Sequence, residues 1–202
     1  MNIETRPSRS ACIKRRELLK CAGGCLGTAA LFSVAGRLNA FSGEKNAVAA
    51  PQVGDVFVVY AAPQTHNPVC LKDLVIDAPP VLVRARDPVS GIVRDDNGNA
   101  SLILLVRVNP KKITPELRES SVQGVLAYSA MCTHLGCLVE NWDAEKKRFQ
   151  CPCHKSAFDP VQGAKVVFGP APRPLPLLPL RVEKGMLKVA GEFSSHVGAQ
   201  HG

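Results

Sequence analysis

Residues 132–137 read Cys-Thr-His-Leu-Gly-Cys, and residues 151–156 read Cys-Pro-Cys-His-Lys-Ser. Each segment pairs a cysteine with a histidine, Cys132-x-His134 and Cys151-x-x-His154, and sixteen residues separate the two pairs. Four of the eight cysteines, Cys132, Cys137, Cys151 and Cys153, fall within 22 residues. Such crowding reads as a metal site, a disulfide, or both.

The mixed pairs suit iron–sulfur chemistry. A thiolate is soft and stabilises ferric iron, while neutral imidazole donates less charge. Thiolates on one iron and imidazoles on another raise the reduction potential above that of an all-thiolate cluster. Imidazole also titrates near neutrality, so electron and proton transfer can be coupled. Three other readings stand beside this one. Structural zinc can use two Cys and two His, although zinc fingers favour C-x-x-C with H-x3–5-H over mixed pairs. Two plain disulfides beside incidental histidines are the second. A Cys–His nucleophile pair is the third, and it does not need the doubled arrangement.

Short strand-like runs flank the cysteines. Asp55–Tyr60 and Pro80–Arg86 carry β-branched residues in near-alternation. A turn at Asp95–Asn99 leads into Ser101–Val108, a continuous apolar run suited to a central strand. Val125–Ala130 leads into the cysteine cluster, and Leu178–Val182 and Met186–Ala190 flank a closing hairpin at Glu183-Lys184-Gly185. One helical turn is expected at Pro115–Ser120, with Thr114 as its cap. His66, His196 and His201 read as loop or tail histidines, Cys70 as a buried or free thiol, and Trp142 as packing rather than an electron relay.

The formal charge of +8 on 202 residues invites a nucleic-acid reading, so its location matters. Six basic and two acidic residues in the first twenty contribute +4, leaving +4 over the other 182. No basic run interleaved with aromatics follows, which excludes nucleic acid as a partner. The N-terminus instead has the order of an export signal, with a basic stretch followed by an uncharged run from Cys21 to Gly36. Lys14-Arg15-Arg16-Glu17-Leu18-Leu19-Lys20 resembles a twin-arginine signal, with Lys14 where Ser or Thr is usual and Leu18 where Phe is usual. The run is short for a membrane span, which needs about 20 apolar residues. Its retention as an anchor is the expectation carried forward.

The paired motifs C-T-H-L-G-C and C-P-C-H-x-S resemble those of Rieske 2Fe–2S proteins, specifically over Ser129–Arg173. That resemblance implies one 2Fe–2S cluster, with Cys132 and Cys151 on one iron and His134 and His154 on the other. It implies a disulfide between Cys137 and Cys153. Dioxygenase-type Rieske domains usually lack these two cysteines, so their presence points to the high-potential branch. That branch holds the subunits of cytochrome bc and b6f complexes and the small subunits of arsenite oxidases. Ser156 stands where the family places a hydroxyl bonded to a bridging sulfide. Gly169-Pro170-Ala171-Pro172 resembles the proline loop that covers the cluster, and Leu135 would shield the cluster or line a docking face. Two positions depart from the respiratory pattern: Phe158 replaces a common Tyr that bonds a ligand sulfur, and Lys155 replaces a common Gly.

The fold implied is an all-β Rieske iron–sulfur fold with an N-terminal signal or anchor helix. Residues 1–50 are the signal, anchor and linker, and 51–193 the Rieske domain. Within it, an antiparallel base of 51–128 and 174–193 carries an inserted cluster-binding subdomain of 129–173, and 194–202 form a flexible tail. The function implied is that of an electron-transfer subunit rather than a stand-alone enzyme. It would be the iron–sulfur subunit of a quinol:cytochrome c oxidoreductase, with cytochrome b and a c-type cytochrome as partners and His134 or His154 contacting quinol. The alternative is a small relay bound to the large subunit of an arsenite-oxidase-like molybdenum enzyme. Either would lie on the periplasmic face of a bacterial inner membrane.

Overall fold

The computed structural model describes residues 50–60, 67–95 and 98–200. The expected export signal, His66, Asp96, Asn97 and His201 lie outside the described residues. Among the described residues, no helix is long and apolar enough to cross a membrane.

The β-branched runs become strands, as their fit to a pleated, half-buried surface favours. The larger sheet contains β1 (Val56–Val59), β2 (Val81–Arg86), β3 (Ile103–Arg107), β4 (Val125–Ser129), β9 (Leu177–Leu178), β10 (Leu180–Glu183) and β11 (Met186–Val189). Their order across it is β10-β11-β1-β2-β3-β4-β9, antiparallel throughout. The expected single strand at Leu178–Val182 is instead two, divided by Pro179. Proline has no N–H for a ladder, so the chain leaves β4 there and rejoins the sheet beside β11. Because β9 and β10 are the outermost strands and only Pro179 separates them, the sheet curls until it is nearly closed. The expected hairpin forms, with Glu183 opposite Met186 and positive φ at Lys184 (51°) and Gly185 (79°), the geometry of a type I′ turn.

The apolar run at 101–108 is buried on both faces. Ile103 and Leu105 point into the sheet's interior with Phe57, Val83, Leu178 and Leu187. Leu102, Leu104 and Val106 point the other way, into a second core shared with Phe149, Phe158, Cys132 and Cys151. Strand β4 alternates in step: Val125 and Ala127 join the first core, Leu126 and Tyr128 the second.

That second core is roofed by the segment inserted between β4 and β9. It contains a smaller antiparallel sheet of β5 (Asn141–Asp143), β6 (Arg148–Gln150), β7 (Ala157–Asp159) and β8 (Lys165–Phe168). These three- and four-residue strands gave no readable alternation in the sequence. Among the described residues, the single α-helical turn is α1 (Pro115–Arg118). Thr114 occupies its N-cap position without capping through its side chain; the hydroxyl bonds the Glu116 carboxylate instead.

One expectation is corrected: Cys70 is buried and engaged in a disulfide rather than free. At the start of the expected tail, Ser194 N donates to Leu177 O at 2.8 Å, and Leu177 N donates to Ser194 Oγ at 2.9 Å.

Tyr128 joins base to insertion. Its ring is wholly buried edge-on to Phe149, with centroids 5.8 Å apart, and its hydroxyl donates to Pro160 O at 2.7 Å. Burial, with Asp159 adding to it, pushes the phenol far above its usual range, so it stays a neutral donor. Tyr128→Phe removes the donor and leaves a buried carbonyl unpaired. The expected cost is about 1–2 kcal/mol, seen as a lower urea midpoint with an unchanged slope.

Candidate metal centre

The two motifs fold into the same turn. In the first, Cys132 N donates to Cys137 O at 2.8 Å and Gly136 N to Cys132 O at 3.0 Å. In the second, Cys151 N donates to Ser156 O at 2.8 Å and Lys155 N to Cys151 O at 3.1 Å. The residue that closes each turn is left-handed, Gly136 at φ 76° and Lys155 at φ 60°. That conformation suits glycine and costs an L-residue roughly 1–2 kcal/mol, so Lys155 occupies a glycine's place under strain. The Cys137–Cys153 disulfide links the turns, with Cα atoms 6.6 Å apart. Cys151 Sγ lies within 4.8 Å of both disulfide sulfurs, but those two are spent on each other and are not free ligands.

The four candidate donors sort by type. Cys132 and Cys151 are free thiols, 2% and 1% exposed, whose side chains hydrogen-bond each other. His134 and His154 lie outside them, half-buried and exposed, with Nδ1 atoms 3.3 Å apart and ring planes at 90°. Burial is the main cause that pushes the Cys132 thiol up to about 11; the backbone N–H groups of His134 and Leu135 oppose it, and Cys151 adds to it. Metal binding at Cys132 therefore releases a proton.

The surroundings fit a cluster with sulfur acceptors. Ser156 is wholly buried, and its Oγ accepts from Ala171 N at 3.1 Å. Among the described residues no acceptor takes its proton, which leaves one buried O–H donor beside the thiols. The Gly169–Pro172 loop covers Ser156: a Cβ on Gly169 would sit 2.5 Å from Ser156 Cα. Pro170 is exposed on the outer side of that loop. Phe158 is wholly buried in the core shared with Cys132 and Cys151, and offers no hydroxyl. Leu135 is 60% exposed beside His134, and Trp142 packs half-buried on Phe149 with ring centroids 5.6 Å apart.

Two neighbours escaped the sequence reading. Thr133 is buried between the first Cys and His, and its Oγ1 donates to Arg173 O at 2.6 Å. Arg173 in turn donates through Nη1 to His196 O at 2.8 Å and through Nη2 to Gly198 O. The acceptors are backbone carbonyls, which carry no residue signature.

Residues 83–179 match the family described as "Rieske [2Fe-2S] domain". The chain is 39% identical over 98 residues to "Cytochrome bc1 complex Rieske iron-sulfur subunit" of Streptomyces lividans, covering 48% of this chain and 58% of that one. The protein of the same name in Corynebacterium glutamicum is 39% identical over 120 residues, covering 56% of this chain and 29% of that one. A Haloferax mediterranei protein named "Putative respiratory nitrate reductase subunit Rieske" is 48% identical over 81 residues, covering 40% and 36%. The chain thus spans 58% or less of the length of these relatives.

The close approach at Gly169 gives a test with an internal control. Gly169→Ala combines a left-handed φ of 90° with contact against Ser156 backbone, whereas Gly91 has φ 75° and open space around it. Gly169→Ala is expected to cost about 3 kcal/mol, strain plus overpacking, and to lower the iron content of purified protein. Gly91→Ala should cost only about 1 kcal/mol and leave iron content unchanged. Both are read from urea unfolding and metal analysis.

Proposed function

We propose that residues 83–179, which match the Rieske [2Fe-2S] domain family, hold a 2Fe–2S cluster and that this chain is the iron–sulfur subunit of a quinol:cytochrome c oxidoreductase. It would accept one electron from quinol held by a membrane cytochrome b and pass it to a c-type cytochrome. The observation that carries this reading is the sorting of the donors, with two buried thiols inside and two imidazoles outside whose Nδ1 atoms converge at 3.3 Å.

In this reading Cys132 and Cys151 would hold one iron, and His134 and His154, whose Nδ1 atoms converge, would hold the other. Bound there, the cluster supplies a one-electron couple whose potential the imidazoles raise. Using Nδ1 for the metal leaves Nε2 of each ring to hold or release a proton. The exposed His154 is the better placed to exchange it with quinol. The buried thiols and the Gly169–Pro172 loop keep water from the sulfur side, while exposed Leu135 offers an apolar contact beside His134. The twin-arginine-like N-terminus supports a place on the periplasmic face of the inner membrane, anchored by residues 21–41. The relatives named as bc1 subunits support cytochrome partners.

A second reading is favoured by the relative named as a nitrate reductase subunit. There the chain is a fixed relay on the large subunit of another exported oxidoreductase, and it meets no quinol. The absence of a hydroxyl at Phe158 agrees with this reading as well as with the first.

Mild solubilisation of native membranes, with the tagged chain as bait, separates the two. Co-purification of a b-type haem subunit, with a quinol-site inhibitor shifting the cluster's EPR spectrum, is the expected result. A molybdenum-containing partner without haem b, and no inhibitor effect, would overturn the quinol reading in favour of the relay.

A further inference from the structure

Arg173 follows the proline loop and stands between two things that sequence keeps far apart. Its carbonyl receives the Thr133 hydroxyl at 2.6 Å, and Thr133 lies buried between Cys132 and His134. Its guanidinium reaches the opposite way and forks onto the carbonyls of His196 and Gly198. Gly198 is buried, and a Cβ there would lie 3.7 Å from Met131 Cε, on the residue just before Cys132. Upstream, Ser194 pairs with Leu177 through two hydrogen bonds, and Phe193 packs on the core of the larger sheet. The segment 193–198 therefore runs from that sheet to the back of the first ligand turn, and Arg173 is what fastens its far end.

We infer that Arg173 is a positioning residue, and that residues 193–198 form a strap holding the Cys132–His134 turn in place and tuning the cluster's potential. This inference rests on the cluster being held by that turn. Three features support a role beyond general stability. The fork onto two carbonyls uses the planar donor geometry that lysine lacks. Among the described residues, no carboxylate pairs with Arg173, whose positive charge lies beside the ligand turn. A positive charge favours the reduced, more negative state of a nearby redox centre, by simple Coulomb attraction. Lastly, Thr133 gives its only proton to the Arg173 carbonyl, so loosening Arg173 frees a buried group wedged between two candidate ligands.

The test uses the full chain with its cluster and three variants: Arg173→Ala, Arg173→Lys, and a chain ended after Ser195. The truncation keeps the Ser194 and Phe193 contacts with the larger sheet and removes the carbonyls that Arg173 holds, together with the packing of Gly198 on Met131. The readouts are the rate of cluster loss to a chelator, the EPR g-values and the midpoint potential. Arg173→Ala and the truncation are each expected to speed cluster loss about tenfold or more, the usual cost of losing a group that orients a ligand. Arg173→Ala should also lower the midpoint potential, and Arg173→Lys, which keeps the charge, should restore that potential without restoring the slow loss. Combining Arg173→Ala with the truncation should add little to the loss rate, because both cut one linkage, while the potential should follow the charge alone. A wild-type loss rate and wild-type g-values in the truncated chain would overturn the inference, and so would full additivity of the pair in the loss rate. Where Arg173→Ala does not fold, the truncation decides alone. A wild-type chain that shows no Rieske EPR spectrum would defeat the underlying cluster reading instead, and the two failures are told apart in the first sample.

Discussion

Strand β4 has no solvent face, and the site is built on that fact. Val125 and Ala127 fill the interior of the larger sheet, while Leu126, Tyr128 and Ala130 fill the core beneath the insertion. Fully burying a large apolar side chain contributes roughly 1.5–3 kcal/mol. A slip of one residue would exchange the two sets and expose each core to the wrong side chains. The register opposite β3, from Ile103–Ser129 to Arg107–Val125, is therefore fixed from both sides. The first ligand turn begins at Cys132, three residues beyond the end of this strand at Ser129. It inherits that rigidity through Ala130 N donating to Leu102 O at 2.9 Å and Val139 N donating to Ala130 O at 2.8 Å.

The second ligand turn has no such foundation. It leaves β6, a strand of only three residues, and must be positioned against the first turn by other means. Three connections do this: the Cys137–Cys153 disulfide, the burial of Phe149 and Phe158 against Tyr128's side of the core, and the cover of the Gly169–Pro172 loop on Ser156. Because the turns share one hydrogen-bond pattern, their donors approach with similar geometry from two sides. The difference lies in the one-residue spacing, Cys132-x-His134 against Cys151-x-x-His154. The strained backbone of Lys155 persists because the surrounding connections over-determine it.

What was legible in the sequence follows from where the information sits. The cysteines and histidines could be read because their chemistry is in the side chains and their spacing is short. The run at 101–108 announced a central strand because burial on both faces leaves no polar alternation. The division at Pro179 was hidden, since Leu178 and Leu180 look like one apolar run although they serve opposite edges of the sheet. Strands β5–β8 were hidden too, being too short for periodicity to show. The tie from Thr133 through Arg173 to residues 196 and 198 spans 40 and 25 positions and ends on carbonyls, which every residue possesses. The tail consequently read as loose.

Besides the backbone N–H groups of His134 and Leu135 that reach Cys132, the side-chain hydrogen-bonding groups around the thiols are few. Thr133 spends its hydroxyl proton on the Arg173 carbonyl at 2.6 Å. Phe158 has none to give. Ser156 accepts from Ala171 N and keeps its proton for an acceptor that the protein does not supply among the described residues. A hydroxyl buried without an acceptor costs roughly 1–3 kcal/mol, and a sulfur-bearing group between the two turns removes that penalty. Hydrogen bonds to sulfur raise a cluster's potential, so this chain, with one side-chain donor, should sit below relatives that also carry a tyrosine at the position of Phe158. Two cations stand beside these groups: Lys155, the one Lys, Arg, Asp or Glu in the two ligand turns and the covering loop, and Arg173, which follows that loop.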